Sequence, residues 1–183
     1  MRNTLANMRG ALFRAWCQVA RPRIVIGRGL KLFGRLEIVG PGRVTIGTNC
    51  VVSGIPGEGH RYVTIYTNSP DAHVQIGDDA RLFAARMSSQ HSISIGNDFI
   101  MEDAGLADSD FHSLRPDRGD PGEDKKKCRI VIGHGVAIGA RSHIGKAVVL
   151  GDNVLVLPGS IVNKSIPSGS CVCGNPARIV RNP

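Results

Sequence analysis

Six histidines, His60, His73, His91, His112, His134 and His143, are the side chains best suited to exchange a proton near neutral pH. His112 is set apart by its neighbours. Asp108 and Asp110 lie four and two residues before it, and Leu114 to Lys127, rich in Pro, Gly and charge, follows it. On a strand, residues two apart face the same side, so Asp110 is a candidate to orient the imidazole or to bind substrate. Asp108 is a second candidate to meet substrate, and both carboxylates could instead be turn formers at a loop entrance. The chemistry that suits such a group is general base catalysis, removal of a proton from a nucleophile as it attacks.

Those residues are positioned by a repeat. From Ile132 to Asn163, aliphatic residues recur at 132, 138, 144, 150, 156 and 162, with Gly after the first four. A helix would space them at 3.6 and an ordinary strand at two. A period of six fits a parallel β-helix, in which six residues make one flat side and the aliphatic side chain points inward. The glycine is expected near the corner, where a residue without Cβ bends the backbone cheaply. Upstream the period continues through Ile26, Leu32 and Ile38, slips by two, and resumes at Ile46 and Val52. After Val63 to Tyr66, which reads as a returning strand, it runs through Ile76, Leu82, Ile95, Met101 and Ala107. Residues 53–62 and 113–127 interrupt it as loops. The longer one is either functional or a tolerated surface insertion, and its place directly after His112 favours function. His60, in the first loop, is a candidate to line a neighbouring subunit's pocket. His134 and His143 follow corner positions, where polar groups face water, and His73 and His91 read as exposed strand-end residues.

The chain of 183 residues is expected to form one core. Five Phe, two Tyr and one Trp against 23 Gly suit a narrow prism filled by Ile, Val and Leu. So few aromatics leave little to stack bases, which argues against nucleic-acid binding. The five Cys form no disulfide framework, and Cys171-Val172-Cys173 reads as small apolar filling and not as a metal site. Of the net charge of +8, all the excess lies in residues 1–36, which hold eight Arg and Lys and no acid. Residues 3–20 read as a short helix with Leu5, Met8, Leu12 and Trp16 on one face, Phe13 and Val19 beside it. This helix either caps the open first coil or anchors the chain on an anionic membrane. No apolar run has the length of a transmembrane helix and no signal-peptide core follows the first basic residues, so a cytoplasmic location, possible at the inner membrane face, is the expectation. The expected organisation is a basic helix over 1–21 and an all-β parallel β-helix over 22–183.

The closing stretch carries more than a fold. Asn163-Lys164-Ser165-Ile166-Pro167, followed by Gly174-Asn175-Pro176-Ala177-Arg178-Ile179-Val180-Arg181, resembles the ending of the hexapeptide-repeat acyltransferases, the family of maltose, galactoside and xenobiotic O-acetyltransferases. That resemblance implies a left-handed β-helix, a homotrimer, acetyl-CoA as co-substrate and no metal. It implies His112 as the general base, since relatives place their essential histidine at this loop, in a similar D-x-D-x-H context. It places coenzyme A contacts on Ala140, Pro158 and Asn163, largely through backbone groups, and on Lys164, Arg178 and Arg181 at the phosphates. Relatives carry Trp where this chain has Ala137, and maltose-type enzymes an Asn where it has Met101-Glu102-Asp103-Ala104. The implied activity is O-acetylation of a sugar hydroxyl, of a kind used in surface or exopolysaccharide synthesis, with a lipid-linked sugar among the candidate acceptors. N-acylation of an amino sugar and a non-catalytic scaffold are the alternatives. A zinc-dependent γ-type carbonic anhydrase on the same fold is disfavoured by the spacing of His134 and His143.

Overall fold

The computed structural model describes residues 2–55, 57–58, 61–110 and 128–181, with Arg181 described in its backbone only. The inward period winds the chain into a three-faced parallel β-helix. Coil one is β1 (Ile24–Ile26), β2 (Lys31–Leu32) and β3 (Leu36–Val39), and coil two β4 (Arg43–Ile46), β5 (Val51–Ser53) and β6 (Val63–Thr67). Coil three is β7 (His73–Ile76), β8 (Arg81–Phe83) and β9 (Arg86–Ser89), and coil four β10 (Ser92–Ile95), β11 (Ile100–Glu102) and β12 (Gly105–Ala107). Coil five is β13 (Ile130–Ile132), β14 (Ala137–Ile138) and β15 (His143–Ile144), and coil six β16 (Val149–Leu150), β17 (Leu155–Val156) and β18 (Ile161–Val162). The hairpin of β19 (Cys171–Gly174) and β20 (Ala177–Arg181) ends the second face. Like strands stack in register, so that Ile26, Ile46, Ile76, Ile95, Ile132 and Leu150 form one buried column on the first face. Neighbouring coils lie about 4.8 Å apart, and each inward aliphatic therefore packs directly on its counterpart.

Two details differ from the sequence reading. In coils three and four the inward residues after Leu82 and Met101 are Met87 and Leu106, five positions on, and Ala107 turns outward. These two second corners are tightened by Ala84 and Asp103 in the left-handed region, with φ of 49° and 37°. The glycine after the inward residue also has a different purpose from the one expected. At Gly133 the backbone is not left-handed; a Cβ there would collide with Asp152 of the next coil, whose backbone nitrogen lies at 2.8 Å. The left-handed bend comes two residues later, at Gly135 and, one coil on, Asn153.

The first corner is tied by a ladder of side chains, each accepting from a backbone N–H one coil before. Asp78 Oδ1 accepts from Thr48 N–H (2.6 Å), Asn97 Oδ1 from Asp78 N–H (2.9 Å) and His134 Nδ1 from Asn97 N–H (3.1 Å). Asp152 Oδ1 accepts from His134 N–H (2.7 Å), and Ser168 Oγ from Asp152 N–H (3.0 Å). The bonds from the Thr48 backbone and hydroxyl hold the Asp78 carboxyl below the usual carboxylate range. His134 is thus one rung of a structural ladder.

Helix α1 (Arg2–Ala20) packs on β1 and β2 and covers the open first coil. The surface that docks is not the large apolar one. It is the small-residue face of Ala6, Gly10 and Cys17, with Phe13 beside it. A Cβ on Gly10 would overlap the carbonyl of Leu30, so the helix can approach this closely only without a side chain there.

Candidate active site

Residues 111–127 connect β12 to β13 in sequence, at the third corner of coil four. His112 itself, like His60, lies outside the described residues. Its approach is well defined. Asp108 directly follows β12 and is fully buried. Its Oδ2 accepts from Ser89 Oγ–H (2.7 Å) and His91 N–H (2.9 Å), and its Oδ1 from Gln90 N–H (2.7 Å). A carboxylate turned inward on three donors of the preceding coil has the surroundings of a structural group. Asp108, expected from the sequence as a candidate to meet substrate, has its side chain fastened to the 89–91 turn and facing the protein.

Asp110 is different. Its carboxylate is half exposed and accepts from Lys146 Nζ at 2.6 Å. Lys146 occupies the same corner one coil later, and Asn163 and Lys164 occupy it two coils later, both exposed. Gly145 N–H donates to Val162 O at 2.9 Å, tying these last two levels together. Asp110, Lys146, Asn163 and Lys164 therefore form a polar column along one edge, which begins two residues before His112 in sequence. Lys146 was not singled out from the sequence, although its place after Ile144-Gly145 marks it as a corner residue.

The remaining cofactor positions lie elsewhere. Ala140 and Pro158 stack at the second corner of coils five and six, where Gly159 N–H donates to Ala140 O at 2.8 Å. The same corner carries the 54–62 loop, tied down by Arg61, whose Nη1–H donates to Asp103 Oδ2 at 3.1 Å. Arg178 is exposed on β20, with Nη1–H donating to Ala177 O at 3.0 Å, and Arg181 ends that strand. Within one chain the predicted positions thus divide between the third corner, the second corner and the C-terminal hairpin. Across the third face, between the two corners, His143 projects from β15 over Gly105, where a Cβ would sit 3.1 Å from its Nδ1. Burial lowers its pKa from the ordinary histidine value. The sequence placed His143 at a water-facing corner; the strand position makes it a partly buried residue of an outer face. Among the described residues no cluster of three or more His, Cys, Asp or Glu is arranged to hold a metal.

No family model matches the chain. Over 52 residues it is 42% identical to galactoside O-acetyltransferase of Escherichia coli, a stretch of 28% of this chain and 26% of that one. Among solved structures, the polysialic acid O-acetyltransferase OatWY superposes with a TM-score of 0.67 at 21% identity, over 86% of this chain and 73% of the other. A mutant of AntD, an N-acyltransferase from Bacillus cereus in complex with dTDP and coenzyme A, superposes with 0.63 at 18%, over 85% and 82%. The chain has the fold of the hexapeptide-repeat transferases. This left-handed β-helix, and the resemblance to hexapeptide-repeat acyltransferases, are as the sequence indicated. The matched stretches span less than a third of the length of the curated relatives.

In the hexapeptide-repeat fold every corner returns once per coil. The third-corner column is a consequence of that geometry: residues 36 positions apart in sequence, Asp110 and Lys146, become neighbours because β12 and β15 stack in register, Leu106 on Ile144.

Proposed function

We propose that this chain is an acetyl-CoA-dependent O-acetyltransferase acting on a sugar hydroxyl in surface or exopolysaccharide synthesis, with His112 as general base. The observation that carries this reading is the third-corner column, with Asp110, Lys146, Asn163 and Lys164 aligned at the corner that precedes His112 by two residues in sequence. The 52-residue match to a galactoside O-acetyltransferase supports it. The division of the other positions supports a site shared between copies in a homotrimer. The third corner of one copy would meet Ala140, Pro158 and the β20 arginines of its neighbour.

In this reading His112 takes the proton of the acceptor hydroxyl as its oxygen attacks the thioester carbonyl. The tetrahedral intermediate collapses with cleavage of the C–S bond. Coenzyme A leaves as thiolate and recovers the proton from His112, and the sugar keeps the acetyl ester. Lys164, Arg178 and Arg181 hold phosphates, Ala140, Pro158 and Asn163 line the groove, and Asp110, fixed by Lys146, positions the imidazole.

Calorimetric titration with acetyl-CoA is the first test. Binding is expected, weakened about tenfold in Arg178→Ala. Turnover with sugar acceptors is expected to fall by roughly two to four orders of magnitude in His112→Ala, with acetyl-CoA binding kept. No binding at millimolar acetyl-CoA overturns the reading. Acetylation confined to amines would make the acceptor an amino sugar.

A further inference from the structure

Helix α1 has two faces, and capping the first coil occupies one of them. On the other lie Leu5, Met8, Leu12, Trp16 and Val19, within about 80° of one another at 3.6 residues per turn. All are largely exposed, Leu12 at 69%, Met8 at 57% and Trp16 at 48%, with the Arg21 guanidinium over one face of the Trp16 ring. Single exposed aliphatics are ordinary, but a contiguous stripe marks an interaction surface. An open groove of about 650 Å³ runs between this side of α1 and the first coil. Its walls include Leu12, Phe13, Trp16, Leu36 and Arg9, and also Arg35, whose guanidinium pairs with Glu37 at 2.5 Å.

We infer that this end of the β-helix docks on an anionic lipid bilayer, with the α1 stripe among the acyl chains and the flanking cations at the lipid phosphates. The charge identifies the occupant. Residues 1–36 hold eight Arg and Lys and no acid. Three of them, Arg14, Arg21 and Arg23, donate to the carbonyls of Ile26, Ile38 and Pro41, which fixes them at this end without neutralising them. Arg2 and Arg9 are exposed on the helix itself. A second copy of the chain brought to the same face would set cations against cations, whereas an anionic bilayer accepts both the charge and the apolar stripe. The docked end is coil one, while the polar column begins at coil four, about 15 Å along the prism at 4.8 Å per coil. Docking therefore leaves the column open, and it holds whether or not the chain transfers acyl groups.

Trp16 is the single Trp and lies on this face, so its fluorescence reports the contact directly. Phosphatidylcholine vesicles containing phosphatidylglycerol are expected to shift its emission to the blue and to pellet the full-length protein. Pure phosphatidylcholine should bind at least about tenfold more weakly, and added salt should reduce binding to the anionic vesicles. The double substitution Met8→Gln with Leu12→Gln should weaken binding by roughly tenfold or more. Arg2→Gln with Arg9→Gln should narrow the anionic preference. All four residues are exposed, so circular dichroism and the thermal midpoint should stay unchanged. The inference is overturned if wild type neither shifts nor pellets. It is equally overturned if Trp16 is buried instead in a protein dimer that Leu12→Gln dissociates. Retained vesicle binding with no acetyl-CoA binding would remove the acyltransferase reading alone.

Discussion

Replacing Asp108 by Ala separates two accounts of the residue, a substrate ligand and a structural fastener. The substitution removes the acceptor of three hydrogen bonds, from Ser89 Oγ–H, Gln90 N–H and His91 N–H, at a position with no solvent exposure. Ser89 is itself fully buried, so its hydroxyl has no water to turn to. A buried donor left unsatisfied costs about 1–3 kcal/mol, and a bond to a charged acceptor lies toward the upper end. Partial relaxation of the turn keeps the sum below the simple total, at roughly 3–5 kcal/mol. For a chain of this length that corresponds to a fall of about 10 °C or more in Tm. Urea unfolding and thermal melts at matched protein concentration measure it directly. Asp108→Asn should recover part of the loss, because an amide keeps one acceptor but turns its NH₂ toward a backbone donor. If Asp108→Ala keeps the wild-type midpoint and changes only the KM for an acceptor, the structural assignment is wrong and the residue faces substrate.

Two further outcomes test the packing and the charge. Gly133→Ala should destabilise by about 1–3 kcal/mol, since its Cβ would press on the Asp152 backbone. Gly145→Ala, whose nearest atom is Val162 O at 3.6 Å, should stay within about 0.5 kcal/mol; a reversed order in urea midpoints would refute the close-approach explanation. Burial lowers the pKa of His143 from 6.5, and His73 shifts the same way through burial and then Arg43. As pH falls through the ordinary histidine range, the unfolded chain therefore binds protons that the folded chain resists. Stability should decline below about pH 6.5 and be insensitive to these groups above it. His143→Gln should flatten that decline in urea midpoints measured between about pH 5 and pH 7.5, and an unchanged slope would show that His143 protonates freely in the folded protein.

The inward half of this structure was readable because every face must fill the same prism, so Ile132, Ile138, Ile144 and Leu150 recur once per face. Where the corner shortens, at Ala84 and Asp103, the period breaks without any residue announcing it, and Ala107 was placed one position off. Outward residues carry no such record. His134, Asp108 and Lys146 take their meaning from a neighbour one coil away, 37, 18 and 36 residues distant in sequence, and only the stacking shows which neighbour that is. Which face of helix α1 docks on the first coil was not legible in the sequence for a related reason. Its large apolar residues stand out in the sequence, but the carbonyl of Leu30 admits only Gly10, and close approach selected the small side chains as the docking face.

The same logic explains why the candidate site can be built at the third corner. A parallel coil that releases a long segment must hold its register on both sides of the gap, or the next strand has no fixed neighbour to pair with. On the near side Asp108 provides this, locking the end of coil four to the 89–91 turn immediately before the chain departs. On the far side β13 pairs with β10 through Ile93↔Ile130 and Ile95↔Ile132, and Lys146 reaches back to Asp110 across the opening. Residues 111–127, His112 among them, thus join two fastened ends in sequence. The prism on both sides is held by contacts among the described residues, and replacing Asp108 should loosen the near side.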